Sequence, residues 1–144
     1  MINNTIIIPG QTPSHKNSKR MFASKKTGKI FPANNDKYLA WKDLAVVNLK
    51  NSRVKIVGPI GVAATFFCED NRPRDLDNML ASVQDALVSA DVLEDDNVKK
   101  LPFVFAKSGG VDKKNPRAEI SFFAVARDEE TLSWNIDESV VKWF

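Results

Sequence analysis

A chain of 144 residues has room for one domain with a substantial core but not for two of typical size. No stretch approaches the ~20 apolar residues that span a bilayer, and Met1-Ile2-Asn3-Asn4-Thr5 lacks the basic-then-apolar pattern of a signal peptide. The single cysteine, Cys68, and single histidine, His15, exclude an intrachain disulfide and the usual structural zinc sites, and the net charge of +3 hides a strongly uneven distribution.

Thr5 to Ile8 has the pattern of a short β-branched strand closed by Pro9-Gly10. Residues 11 to 20 are polar and loop-like. From Met1 to Asn35 there is no acid, whereas Lys16, Lys19, Arg20, Lys25, Lys26 and Lys29 are basic. Such an arm either contacts phosphates without reading sequence or is a solvated loop with no ligand. Met21 to Phe31 suggests a hairpin turning at Lys25-Lys26-Thr27-Gly28. Asn34-Asn35-Asp36 offers N-cap chemistry for a helix to about Lys50. Tyr38, Trp41, Leu44, Ala45 and Asn48 form one stripe on that helix, which favours core packing over base stacking for its aromatics.

Pro59 to Cys68 is a strand apolar on both faces, hence central and covered on both sides. Cys68 is expected to be a small buried hydrophobe rather than a nucleophile. Leu76 to Ala90 is a helix with Leu76, Leu80, Val83, Leu87 and Val88 facing inward. Val98 to Ala106 is a strand whose Pro102 points to an edge or a bulge. Ser108-Gly109-Gly110 suggests a turn, and Arg117 to Ala126 a last alternating strand. Together these predict an α+β fold: one domain, a small mixed sheet and flanking helices. Residues 1–127 form the domain proper. Residues 128–144 form an acidic, aromatic extension whose Trp134, Ile136, Val140, Val141, Trp143 and Phe144 are expected to pack as a short helix on the body or on a partner subunit.

The chemistry concentrates in Arg72-Pro73-Arg74-Asp75-Leu76-Asp77-Asn78 and in the later Glu94-Asp95-Asp96. Hard cations such as Mg²⁺ take carboxylate oxygens, water and substrate phosphate, and arginine neutralises and orients phosphate. The pattern therefore suits metal-dependent hydrolysis of a nucleic-acid backbone. The bland alternative is helix capping, since aspartate at a helix N-terminus binds free N–H groups. Capping needs one acid. Two alternate acids in an extended segment point the same way and can share an ion. Asp96 is a third candidate ligand, and reach constrains it. The helix is ~22 Å long, and the six residues from Ala90 to Asp96 span at most ~20 Å. Asp96 thus returns to Asp77 only if the chain doubles straight back. Otherwise it meets another subunit's pair, or the helix is shorter than its pattern implies.

Arg74-Asp75-Leu76-Asp77-Asn78, Asp85-Ala86-Leu87 and Glu94-Asp95-Asp96 with Val98 resemble the RusA family of Holliday junction resolvases. Pro13-Ser14-His15-Lys16-Asn17-Ser18, Tyr38 and Pro116-Arg117-Ala118-Glu119-Ile120 add to the likeness, which covers about residues 5 to 125. The resemblance implies a RusA-like fold and a bacterial or phage-encoded, cytoplasmic homodimer that makes paired nicks in four-way DNA junctions with Mg²⁺ or Mn²⁺. It implies that Asp75, Asp77 and Asp96 hold the metal and that Arg74 serves DNA. Arg72, Lys16, Lys19, Arg20, Lys25 and Lys26 are further candidate DNA contacts. Asp85 is ambiguous between metal support and structure, and is expected to be structural. His15 is expected to be a polar contact rather than a general base. One position departs: Ala81 stands where the family's best-studied form has a lysine. Lys99, Lys100 and Lys107 are candidate substitutes by charge. The rival readings are a branched-DNA binder without catalysis and an interaction domain whose carboxylates only cap a helix.

Overall fold

The computed structural model describes residues 5–14 and 36–144, with the backbone alone at 19–23 and 30–34. The elements in chain order are β1 (Ile6–Pro9), β2 (Lys19–Ala23), β3 (Ile30–Asn34), α1 (Asp36–Asn51), β4 (Gly61–Cys68), α2 (Leu76–Ser89), β5 (Phe103–Val111), β6 (Arg117–Phe123), β7 (Val125–Asp128), β8 (Ser133–Ile136) and a 3₁₀ helix (Glu138–Trp143). The fold is α+β. Neither α-helix is long and apolar enough to cross a membrane.

The main sheet has the order β1-β6-β4-β5. β4 runs parallel to β5 and antiparallel to β6, so the sheet is mixed. Alternation along β4 explains its central place. Val62, Ala64 and Phe66 join a core with Trp41, Ala45 and Leu49 of α1 and Val83, Ala86 and Leu87 of α2. Ala63 faces the other way, into a second cluster with Phe123 and Val140. The helices therefore cover one face of the sheet and the C-terminal segment covers the other, which is why both faces of β4 are apolar. Gly61 has no room for a side chain, because a Cβ there would lie 2.1 Å from the Phe123 ring.

The second face is largely aromatic. Phe105 stacks on Phe123 at 5.3 Å, and Phe144 meets Phe105 edge-on at 5.1 Å. Asp137 caps the 3₁₀ helix by accepting from the Ser139 N–H, which brings Val140 and Trp143 down onto the sheet.

Several elements differ from the sequence expectation. The stripe on α1 is Tyr38, Trp41, Ala45 and Leu49, while Leu44 is 65% exposed. Ser108, Gly109 and Gly110 are no turn. They lie within β5, where the register against β4 shifts by a bulge opposite Phe66 and Phe67. Pro102 precedes β5 instead of interrupting it, and β5 is an edge strand. The expected strand from Arg117 to Ala126 breaks at Ala124, after which β7 pairs with β8 as a separate hairpin. That hairpin straddles residues 127 and 128. Cys68 is half-buried, packed against the helix-side core.

Candidate metal and nucleic-acid site

β4 ends at Cys68, and the chain crosses to α2 through Glu69–Asp75. Asp75 occupies the N-cap position of α2 with extended backbone angles, and its carbonyl accepts from Met79 N–H at 3.2 Å. Its side chain makes no capping hydrogen bond. Instead, Asp75 Oδ2 accepts from the Asn78 side-chain amide at 3.2 Å. Asp77 lies in the first turn of α2, so the extended alternation ends at Asp75, and Asp77 Oδ1 accepts from Asn78 N–H at 2.9 Å. Both carboxylates are exposed. Among the described residues nothing donates to Asp75 Oδ1 or Asp77 Oδ2. Capping thus accounts for part of Asp77 and none of the Asp75 side chain, and the remaining oxygens have the donor chemistry a hard cation takes.

The two arginines have different surroundings. Arg74, 18% exposed, donates to Asp70 Oδ1 at 2.8 Å and to the carbonyls of Asp70 and Arg72, and lies 3.7 Å from Glu69. It fastens the loop to itself. The Arg74 hydrogen bond, then the Arg72 N–H, hold the Asp70 carboxyl below the usual carboxylate range. Arg72 is 79% exposed and lies 3.1 Å from Asp70, so its guanidinium is open to a further anion.

Beside the pair is a cavity of about 800 Å³. Its lining includes residues 11–14, Lys37, Tyr38, Glu69, Arg72, Arg74, Asp75 and Asn78. The 11–14 segment is positioned at two points. Gln11 Oε1 accepts from Glu69 N–H at 2.8 Å, and the buried Ser82 hydroxyl donates to Pro13 carbonyl at 2.6 Å. Sequence reasoning passed over Gln11, Thr12 and Ser82, since no local pattern marks them.

Asp85 is structural in its contacts. It accepts from the buried Tyr38 hydroxyl and pairs with Lys42 at 2.8 Å, tying α2 to α1. Burial first, then the bond to Asp85 and its charge, push the Tyr38 phenol well above its ordinary value. Because its folded pKa is raised, the stabilisation is complete below the unfolded pKa of about 10 and is lost as pH rises beyond it. Tyr38 is the only tyrosine in the chain, so ultraviolet titration reads it directly. Tyrosinate absorbance is expected to appear only as circular dichroism reports unfolding. Ionisation near pH 10 with the fold intact would contradict the clamp.

Asp96 does not join the pair within the chain. Val92 and Leu93 N–H groups both bond Leu87 carbonyl at the far end of α2. The loop is then held beside the start of β4, through Leu101 N–H to Asn97 carbonyl and Ile60 N–H to Lys100 carbonyl. Accordingly, no group of three or more Asp, Glu, His or Cys side chains among the described residues is placed to hold a metal. Asp96 is exposed, and nothing among those residues donates to its carboxylate.

Of the candidate DNA contacts, Lys16, Lys25 and Lys26 lie outside the described residues, as does His15. Lys19 and Arg20 lie on β2, described there by backbone alone. Ala81 is partly buried on α2, one turn beyond Asp77. Among the lysines considered as its substitute, Lys107 donates to Trp143 carbonyl and lies 4.4 Å from that ring's centre, on the sheet face away from the helices. Lys100 pairs with Glu94 at 2.7 Å. Lys99 is exposed, three residues from Asp96. Compared with known proteins, the chain matches no family model and no curated protein.

Proposed function

We propose that this chain is a metal-dependent endodeoxyribonuclease of the RusA kind, which cuts four-way DNA junctions as a homodimer. The observation that carries the reading is the exposed Asp75–Asp77 pair, whose outer oxygens are left over from helix capping, beside a cavity with the open Arg72 guanidinium. The metal would be held by Asp75 and Asp77 of one subunit and Asp96 of the partner subunit, a reading supported by the described residues of one chain bringing no three carboxylates together. When bound, Mg²⁺ or Mn²⁺ supplies charge neutralisation at the phosphate and a more acidic water.

The chain's own residues do the positioning. Asn78 holds Asp75 and caps onto Asp77. Arg74, Asp70 and Glu69 stiffen the loop that presents them. Arg72 takes a phosphate oxygen. The basic arm of Lys16, Lys19, Arg20, Lys25 and Lys26 supplies phosphate contacts without sequence readout. Ala81 provides no charge, and Lys99 is the lysine that travels with Asp96, so the loop that delivers the third carboxylate also delivers a cation. Two-fold symmetry pairs two such sites on a branched substrate. Such an enzyme would work in the cytoplasm of a bacterium or of a phage-infected cell.

The test is incubation of a labelled four-way junction, beside a linear duplex of the same sequence, in Mg²⁺, Mn²⁺ and EDTA. Metal-dependent nicks on the junction alone are expected. Tight junction binding without nicks in either metal would favour the second reading, a non-catalytic junction binder, which Ala81 motivates. No binding at all, and no rise in Tm with Mg²⁺ or DNA, would leave the carboxylates as structural groups.

A further inference from the structure

Three strands change character at the same level on the sheet face away from the helices. In register, Phe103, Gly61 and Phe123 form one cross-strand row, Phe105, Ala63 and Ser121 the next, and Lys107, Thr65 and Glu119 the third. Trp134, Trp143 and Phe144 pack on the rings of the first two rows. The third row is the floor of a groove of about 570 Å³, walled by Lys142 and Trp143 of the 3₁₀ helix. A threonine in an ordinary solvent-facing row is wet. Thr65 is only 8% exposed, and its hydroxyl has no hydrogen-bond partner among the described residues. Unlike the unpaired Thr12 Oγ1, Ser14 Oγ and Trp41 Nε1, which are sealed from solvent, Thr65 Oγ1 is not closed off. An unpaired, largely buried hydroxyl costs free energy until something bonds it.

The groove's donors come from three elements: Thr65 from β4, Lys107 from β5 and Lys142 from the 3₁₀ helix. An ammonium has three N–H groups. Lys107 gives one to Trp143 carbonyl, which holds it 4.4 Å from that ring's centre, and two remain. Lys142 is exposed and makes no ion pair among the described residues. Glu119 is the acid in the lining, and it is already engaged. Its Oε2 accepts from Arg117 Nε at 2.7 Å, and that guanidinium lies 3.8 Å from the centre of the Phe67 ring. Three donors around one groove, two of them charged, suit an anion with three free oxygens and more than one negative charge. Inorganic phosphate and phosphate monoesters have both properties. A phosphodiester, with two free oxygens and a single charge, has neither. We propose that this groove binds inorganic phosphate or a phosphate monoester. It lies on the opposite face of the sheet from α2, which carries Asp77, and it stands independently of the nuclease reading.

The test follows backbone amide resonances of the isotope-labelled full chain during titration with inorganic phosphate, methyl phosphate and dimethyl phosphate, in EDTA at constant ionic strength. Saturating shifts are expected at Thr65, Lys107, Ser108 and Trp143, with dimethyl phosphate at least about tenfold weaker than phosphate. Thr65→Val and Lys142→Ala are each expected to weaken phosphate about five- to tenfold, the scale of one hydrogen bond. Thr65→Ser keeps the hydroxyl and is expected to bind as wild type does. Arg72→Ala is expected to leave these shifts unchanged, which separates the groove from the cavity beside Asp75. The same spectra report whether each variant is folded, and Lys142→Ala, at an exposed position, carries the test if Thr65→Val is not. Methyl phosphate binding as tightly as phosphate would support the site and assign it a monoester. Binding lost with the methyl group would support it and assign the free ion. Shifts that never saturate, that centre on Arg72 and Asn78, or that persist unchanged in the folded variants would overturn the assignment. So would dimethyl phosphate binding as tightly as phosphate.

Discussion

Asp77→Asn is expected to lower junction nicking by about a thousandfold, some 4 kcal/mol of transition-state stabilisation, with little change in fold or junction binding. Asparagine keeps a carbonyl oxygen where Asp77 Oδ1 accepts from Asn78 N–H at 2.9 Å, so the start of α2 is preserved. What disappears is a negative charge on an exposed side chain, and exposed substitutions of this kind change stability by about 0.5 kcal/mol or less. Single-turnover nicking and thermal melting, measured on the same sample, separate the possibilities. Wild-type cutting would remove Asp77 from the metal site. A large loss of stability would make it a capping residue.

The second large effect concerns Asp96. Asp77→Asn and Asp96→Asn are each expected to be inactive alone and to regain nicking when mixed. In a site shared between subunits, a mixed dimer unites the intact Asp77 of one chain with the intact Asp96 of the other. Random pairing yields about half mixed dimers, each with one good site, so roughly a quarter of wild-type sites are restored, and each gives a single nick. If all three carboxylates acted within one chain, every site in the mixture would carry a lesion and no activity would return. The basis is the fold: the loop holding Asp96 is fastened beside Ile60 at the start of β4, whereas Asp75 follows the end of that strand.

Much of this architecture is legible in the chain because burial leaves a period. Val62, Ala64 and Phe66 alternate with Ala63, and only a strand covered on both faces has that composition. The limits of the Asp96 loop were likewise legible, since chain length bounds reach whatever the fold. Glycine was misleading at 109 and 110. In sequence it signals a turn, but here a Cβ on Gly109 would lie 2.6 Å from the Phe67 ring, and Gly110 takes φ +91° at a bulge. Both meanings produce the same residues, and the strand on which the glycines sit decides between them. The β7–β8 hairpin was invisible for a different reason. Ser133–Ile136 is exposed at its first three residues, and although Trp134 and Ile136 alternate with Ser133 and Asn135, four residues are too short a run to separate a strand from a turn of helix.

The site was legible in its residue types and only partly in its geometry. Arg72 and Asp75 line one cavity, whereas Asp77 sits in the first turn of α2, outside the extended alternation and not among the residues that line the cavity. Arg74 falls in the same alternation but turns back into its own loop, because Asp70 four residues earlier offers a closer carboxylate than any ligand. Asp85 was expected to be structural, and its partners Tyr38 and Lys42 lie on the neighbouring helix. Thr65 carried no signal of a ligand. An unpaired buried hydroxyl is a property of packing, and threonine in a strand looks the same whether it meets water, protein or a ligand.

The most direct measurement is made on a supercoiled plasmid that extrudes a four-way junction from an inverted repeat. Two symmetric cuts within one complex convert it to linear DNA, while isolated cuts leave a nicked circle. The account predicts linear product in Mg²⁺ or Mn²⁺, none in EDTA and none with Asp77→Asn. Intact plasmid in both metals, or linear product formed equally well by Asp77→Asn, would contradict it.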